Sequence, residues 1–457
     1  MKRIASGIGL WLALMAGTDA AGIDCAAART VVDSTICARP ELRLMDRDVA
    51  GLYRQLQREP TVDGVALRQA QRRWLTQRDA CGAEADCLLQ RHVERSAALD
   101  LQLHVARAYQ PDGVDRAAMR QLRDAVAAAM ARDEEFPLET ALAAFALPPE
   151  RVTRFRNVRP PDAPEDADAR FPSERPAGVT PDEWRALRAS QVEGGGESGN
   201  AGYELIDLDG DGDRDLLIDS YQGGTGLWSY AIALERRGGR FVAPARARPA
   251  AGEAGDESLY AINGRGGNQQ ATWVRLQGRV YTALRDSVYG SDRLYLLRPL
   301  RTLALVPRLT VDYRYHFTVP RQQRPEAGQP PYQLDEQRLA ALNQAVADPD
   351  AFHAGPPADG PLCPIPPGTP EENQADWYGF GPGHYSFEIV ADLPVWLDGA
   401  CHVGQLIDWF GQYDRTHGLS AQLQIKKPGS PGPETLYELS ARRSAIRVGA
   451  ELAVYPP

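Results

Sequence analysis

Four of the six cysteines lie between residues 24 and 99, and they constrain this part of the chain more than any other feature. An even number of cysteines in an exported protein predicts disulfides. Proximity along the sequence favours the pairs Cys25–Cys37, Cys81–Cys87 and Cys363–Cys401. A crossed arrangement of the first four, Cys25–Cys87 with Cys37–Cys81, stays open. Zinc ligation is disfavoured, because the chain has no C-x-x-C spacing and no accompanying histidine pair.

The apolar pattern around these cysteines predicts helices. Between Leu42 and Leu56, apolar residues recur every three or four positions, as on one face of a helix. Pro40 suits the first turn of that helix, and similar runs cover 65–78 and 86–109. We therefore expect a helical hairpin or three-helix unit. Such a unit is too small for a large core, and disulfides would compensate for that.

Two charged residues of this segment, Asp46 and Arg78, would lie on facing helices with apolar neighbours. We interpret them as a structural ion pair that fixes the register of the helices. A contact with a partner protein is the alternative role for the pair. Trp74 is expected in the core rather than exposed as a binding anchor.

The same segment resembles the N-terminal domain of the LprI-type lysozyme-inhibitor family, small helical modules of the bacterial cell envelope. The resemblance covers residues 24–99, and His92-Val93 departs from it where an aromatic residue is usual. It implies a helical fold and, as partner, lysozyme or another peptidoglycan hydrolase. The residues that carry it are, in order, Cys25, Cys37, Leu42, Asp46, Tyr53, Gln71, Trp74, Arg78, Cys81, Cys87, Leu88, Arg95 and Leu99.

The net charge of the chain favours some classes of binding partner over others. The chain has a formal charge of −10, which disfavours nucleic acid, because phosphate neutralisation requires a basic surface. An acidic protein would instead be attracted to a basic partner such as a lysozyme.

The N-terminus reads as a secretory signal over residues 1–22. Lys2 and Arg3 precede an apolar stretch, 4–16, of signal-peptide length that is too short to span a bilayer. A retained anchor is the alternative. We expect no membrane span in the mature chain and a periplasmic or secreted location.

Composition divides the rest of the chain. Between Pro148 and Pro181 there are eight prolines with little apolar periodicity, which indicates an extended, solvated linker. Thr180 is expected to start a short helix there. The fold class is therefore a multidomain α+β protein. Its expected parts are the helical module at 23–110, a helical extension at 111–147, the linker at 148–200, a mainly antiparallel β-rich domain at 201–320 and a C-terminal α/β or β-rich segment at 321–457.

An aspartate-rich stretch, 207–215, lies inside the β-rich region. In a calcium loop of the EF-hand type, positions 1, 3 and 5 supply oxygen ligands and position 6 is glycine. Asp207, Asp209, Asp211 and Gly212 occupy these positions here. Ile218 stands at position 12, where an EF-hand loop has glutamate. The stretch resembles the calcium turns of FG-GAP-type repeats, and we expect Ca²⁺ in a structural role. An acidic turn that binds nothing is the alternative. The expected metal residues are Asp207, Asp209, Asp211, Asp213 and Asp215.

No catalytic motif is recognisable. The chain has neither G-x-S-x-G nor H-E-x-x-H, and its seven histidines are scattered. The glycines at 223–226 read as a loop between strands. Aromatic residues in 361–457 are interpreted as core, with a carbohydrate-binding face as the alternative. A hydrolase that uses two carboxylates stays open.

These observations favour a binding protein rather than an enzyme. The leading hypothesis is an exported inhibitor that blocks a basic peptidoglycan hydrolase, with the Glu59–Asp63 turn as the contact. The alternative is a calcium-dependent envelope module that binds glycan or protein without inhibition.

Overall fold

The computed structural model describes residues 22–164, 167–192, 194–244, 258–264, 269–324, 330–348, 360–380, 389–430 and 434–455. These residues form two compact units, which we call the helical unit (22–109) and the β unit (110–455). The expected signal segment lies outside the described residues, apart from Gly22.

Three of the four helices in the helical unit begin at residues that suit a helix start. Thr30 and Asp33 form a capping box, Pro40 occupies the first turn of the second helix, and the Asp63 carboxylate accepts hydrogen bonds from two backbone N–H groups of the third. The helices are α1 (Val31–Ala38), α2 (Pro40–Leu56), α3 (Gly64–Asp79) and α4 (Ala85–Arg107).

Two small apolar clusters and two disulfides stabilise the helical unit. Trp74 is buried, as expected, in a cluster with Tyr53 and Leu99. The disulfides are Cys25–Cys37 and Cys81–Cys87, the pairs favoured by proximity, so the crossed arrangement is wrong. Cys363–Cys401 forms the third disulfide, in the β unit.

The β unit contains two larger antiparallel sheets. The six-stranded sheet has the order β1-β2-β3-β4-β5, with β6 also paired to β4. Its strands are β1 (Thr153–Arg156), β2 (Ala201–Ile206), β3 (Asp215–Gly223), β4 (Trp228–Arg237), β5 (Arg240–Val242) and β6 (Tyr260–Asn263).

The eight-stranded sheet has the order β13-β14-β15-β16-β10-β9-β8-β7, and β11 pairs with β12 separately. The first four of its strands in the chain are β7 (Gln269–Leu276), β8 (Arg279–Val288), β9 (Ser291–Leu297) and β10 (Leu305–Thr318). The short pair is β11 (Gln322–Gln323) and β12 (Tyr332–Gln333), and the last four strands are β13 (Ile389–Leu397), β14 (Ala400–Asp414), β15 (Gly418–Lys426) and β16 (Thr435–Val454).

This topology corrects the expected division between 201–320 and 321–457. β10 pairs with β16 along its whole length, from Leu305 opposite Val454 to Thr318 opposite Ser440. The segment 201–320 is itself divided between the two sheets. Pairing of strands so distant in sequence leaves no local pattern, so the boundary could not be placed from composition.

The expected linker at 148–200 is also wrong. Its strand β1 pairs with β2, and Phe155 stacks on Tyr203 with ring centroids 4.8 Å apart. The helix α7 (Pro181–Ala189) begins at the Thr180 capping box, and its Leu187 is fully buried. The apolar residues of this segment occur in short runs that are separated by prolines. The segment therefore shows little helical or strand periodicity in its sequence, although it is folded.

The expected helical extension belongs to the β unit. It forms α5 (Gly113–Met130) and α6 (Pro137–Ala143), and α8 (Glu336–Ala345) follows β12. Leu122 and Leu138 pack in one core with Leu309 and Val311 of the eight-stranded sheet. At the start of α5, buried Asp115 accepts hydrogen bonds from Arg279 and from the Tyr281 hydroxyl.

Along the described ranges, no helix is both long enough and apolar enough to cross a bilayer. This finding concerns the described residues alone, and the apolar stretch at 4–16 is outside them.

A substitution tests whether 148–200 is folded. We expect Phe155→Ala to lower the free energy of unfolding by about 2 kcal/mol, since a partly buried ring that packs on Tyr203 is lost. Urea unfolding followed by tryptophan fluorescence measures the change. Glu174→Ala, at an exposed position of the same segment, is the control and should have little effect. Equal stability of the two variants would contradict a folded segment.

Candidate functional site

A buried polar pair lies at the centre of the helical unit. Asp46 accepts a hydrogen bond from the Ile23 N–H at 2.6 Å through Oδ2, and its Oδ1 is 3.5 Å from Nε2 of His92. His92 is fully buried, and its Nδ1 lies 2.8 Å from the Leu88 carbonyl oxygen. Because a carbonyl only accepts, Nδ1 carries the hydrogen. The pair therefore connects the start of the unit, α2 and α4.

The expected Asp46–Arg78 ion pair is replaced by this arrangement. Arg78 instead bonds Asp79 through Nη2 at 2.7 Å and lies over the Trp74 ring. Burial raises the pKa of Asp46, but its interaction with His92, the hydrogen bond from the Ile23 N–H and the positive charge of Arg78 outweigh burial and lower that pKa. His92 was missed as a partner, although it shares a helical face with Leu88 and Leu99.

The Glu59–Asp63 turn joins α2 to α3 and is held by internal contacts. Glu59 forms an ion pair with Arg107 at 2.7 Å, and the Thr61 hydroxyl donates to the Ala106 carbonyl. Asp63 caps α3. Both acidic side chains of the turn are therefore engaged within the unit, and Pro60 is left exposed at its surface.

Charge is distributed unequally between the two units. Residues 22–109 carry 13 arginines and 12 acidic residues, a net charge of +1. Residues 110–457 carry 36 basic and 48 acidic residues, a net charge of −12. The acidity that suggests a basic partner is therefore a property of residues 110–457 and not of the helical unit.

The second candidate site is the stretch 207–215, which we call the Asp loop and which connects β2 to β3. Ligand oxygens of Asp207, Asp209 and Asp211 lie within 4.8 Å of one another. Gly210 and Gly212 have φ of +88° and +96°, a conformation that favours glycine, and they let the loop curl its carboxylates inward. Three carboxylates so placed are hard-oxygen ligands of the kind Ca²⁺ prefers.

The other two expected ligands have different positions. Asp215 is buried, and its two carboxylate oxygens accept hydrogen bonds from the N–H groups of Leu208 and Arg236. Burial raises the pKa of Asp215 to about 7. Asp213 is exposed, and its N–H donates to the Asp211 carboxylate. Asp215 thus anchors the loop to β4, and neither residue joins the group of three.

Repulsion within the group is evident at Asp209. Burial raises the pKa of its carboxyl, and the charges of Asp211 and Asp207 raise it further, against a hydrogen bond from the Asp211 N–H that lowers it. A bound cation would relieve this repulsion.

The aromatic residues of 361–457 do not form one described face. Trp377 is buried beside the Cys363–Cys401 disulfide, whereas Trp396 is 56% exposed. Phe380 is partly buried under Lys426. Tyr378 is partly buried, whereas residues 385 and 387 and the side chains at 409 and 410 are outside what the structure describes.

The lowered pKa of Asp46 gives a pH-dependent prediction. An aspartate with a lowered pKa stabilises the fold above its unfolded pKa, about 3.9, and loses that effect as pH falls through its folded pKa. At pH 7 we expect Asp46→Asn to lower the free energy of unfolding by about 1–3 kcal/mol, with a smaller difference at pH 3. Circular dichroism at 222 nm during urea unfolding measures both.

Asp48→Asn, at an exposed position on the same helix, is the matched control for this experiment. It removes the same charge without removing a buried hydrogen bond. If the free energies of unfolding of wild type and Asp46→Asn differ by the same amount at pH 7 and at pH 3, the role of the carboxylate charge is contradicted.

Part of the chain matches a known protein family. Residues 24–99 match the family model described as lysozyme inhibitor LprI. No curated protein matches the chain, and no solved structure does. The matched range contains α1, α2 and α3, both N-terminal disulfides, and α4 as far as Leu99. The helical unit therefore contains the segment that matches this family model.

Proposed function

We propose that this chain is an exported envelope protein whose LprI-type module binds a peptidoglycan hydrolase and blocks it. The observation that carries the proposal is the family match over 24–99. The intact helical unit, with its two disulfides and its buried Asp46–His92 pair, supports it. On this view the chain acts by binding and not by catalysis.

The Glu59–Asp63 turn is the contact that we propose. Contacts with Arg107 and Ala106 fix its shape before binding, and a preformed turn loses little conformational entropy when it enters a cleft. Pro60 and Thr61 are exposed there. Alanine substitution of Glu59, Thr61 or Asp63 would also disturb the turn itself, so a variant at Pro60 is a cleaner test.

Electrostatic attraction to a basic hydrolase would come from residues 110–457, which carry the net negative charge. Charge of this kind raises the association rate more than the affinity, and salt screens it over a distance of about 8 Å at physiological ionic strength. The module alone, with a net charge of +1, would lack this attraction.

Inhibition of lysozyme-catalysed cell-wall lysis by the purified mature chain tests the function. We expect inhibition at micromolar protein, and residues 22–109 alone should retain it with slower association at low salt. No inhibition by the chain or by the module would contradict the proposal. The assay is a turbidity measurement on a cell-wall suspension.

A charge-matched pair of variants tests the contact. Pro60→Arg should weaken inhibition at least about tenfold, because a long charged side chain at the exposed turn obstructs close docking. Ala98→Arg adds the same charge at an exposed position of α4 and should leave inhibition unchanged. Equal inhibition by both variants would place the contact elsewhere on the module.

We further propose that the Asp loop binds one Ca²⁺ through Asp207, Asp209 and Asp211, in a structural role. The convergence of these three carboxylates supports it. This site is also the observation behind the alternative function, a calcium-dependent module for glycan or protein. Binding of a partner that requires calcium, with no inhibition of lysozyme, would favour the alternative.

Calcium should raise the melting temperature by about 2–5 °C relative to EDTA, because a ligand that binds only the folded state stabilises it. Asp209→Asn should abolish the rise, and Glu174→Gln, an exposed control outside the Asp loop, should retain it. Differential scanning calorimetry measures both. The same melting temperature in calcium and in EDTA would contradict the site.

A further inference from the structure

The β unit contains a cavity of about 500 Å³ beside the Asp loop, which we call the loop cavity. Its walls come from the segment around 147–151, the first turn of α7, the Asp loop and single residues of β2, β4 and β7. The volume lies within the range of small-molecule sites, about 300–1,000 Å³. The walls carry four arginines and five acidic residues, so the cavity suits a polar ligand.

Two of the arginines are matched by carboxylates of α7. Arg214 forms a two-point ion pair with Glu183, with Nε and Nη2 each 2.7 Å from a carboxylate oxygen. Nη2 of Arg236 lies 2.6 Å from Oδ2 of Asp182. These pairs attach the Asp loop and β4 to the helix, and they leave little of the Asp182 and Glu183 charge for a ligand.

Arg236 nevertheless has a donor to spare. Its side chain is 6% exposed, and its buried Nη1 has no hydrogen-bond partner among the described residues. A buried guanidinium N–H without a partner is costly, because its desolvation is not compensated. Arg236 lines the loop cavity, so its positive charge would attract a carboxylate bound there.

The remaining charges of the walls are of both signs. Arg151 and Arg275 are exposed, and within the described ranges neither forms an ion pair. They are close in the fold, because residues 145–147 pair with β7 beside Arg275. Glu150, Asp207 and Asp213 likewise form no ion pair in the described part of the chain. A purely anionic ligand would be repelled by the acidic residues that have no ion-pair partner. A purely cationic ligand would be repelled by the arginines that have none.

We propose that the loop cavity binds a short zwitterionic peptide, with its carboxylate at the arginines and its ammonium at the Asp loop. Arg151 and Arg275 supply donors for the carboxylate, because a guanidinium matches carboxylate geometry, and Arg236 adds its positive charge beside them. Asp213 and Asp207 supply acceptors for the ammonium. This site is in the β unit and independent of the inhibitor function proposed for the module.

Isothermal titration calorimetry of the full mature chain with trialanine, in EDTA, tests the proposal. We expect saturable one-to-one binding with a dissociation constant at or below the millimolar range. N-acetyl-trialanine and trialanine amide, each lacking one charge, should bind at least tenfold more weakly. Absence of saturable binding of trialanine, or equal binding of either capped peptide, would overturn the proposal.

Variants locate the binding without depending on a buried residue. Arg275→Gln and Asp213→Asn, both at exposed positions, should each weaken trialanine binding at least threefold with an unchanged melting temperature. Arg240→Gln, an exposed arginine of β5 outside the cavity, is the matched control and should bind as wild type does. Wild-type affinity in both cavity variants would show that the peptide binds elsewhere and would overturn the proposal.

Discussion

The pairing of β10 with β16 is the constraint on which the β unit depends. It joins residues 305–318 to 440–454, and a shift in its register at Asp312/Tyr313 keeps the two strands aligned on either side. Because β16 also pairs with β15, and β10 with β9, this one pairing connects the two halves of the eight-stranded sheet. The helices α5 and α6 then have a continuous apolar surface on which to pack.

That dependence explains what the sequence could predict and what it could not. Local patterns predicted the helices of the first unit, the strands on both sides of the Asp loop and the short helix after Thr180, because each depends on neighbours in sequence. The β10–β16 pairing joins strands more than a hundred residues apart, and no local pattern encodes its register. The domain boundary at 320 was wrong for this reason.

The site residues divide in the same way. The aspartates at 207, 209 and 211 could be identified as a group because a turn brings close neighbours together. The true partner of Asp46 could not, since the choice between Arg78 and His92 depends on how α4 rotates against α2. Helix packing placed His92 inward and left Arg78 beside Asp79. The loop cavity draws on residues from 147 to 275 and had no sequence signal at all.

The Asp loop and the loop cavity share a wall, and this shared wall couples their two proposed ligands. Asp207 belongs both to the group of three carboxylates and to the cavity. A cation held by that group would withdraw Asp207 from an ammonium and leave Asp213 as its acceptor. Binding free energies are reciprocal, so a peptide whose ammonium occupies Asp207 would weaken the cation in equal measure. Asp215 accepts hydrogen bonds from the N–H groups of Leu208 and Arg236, so it holds the shared wall in place while the two ligands compete for Asp207.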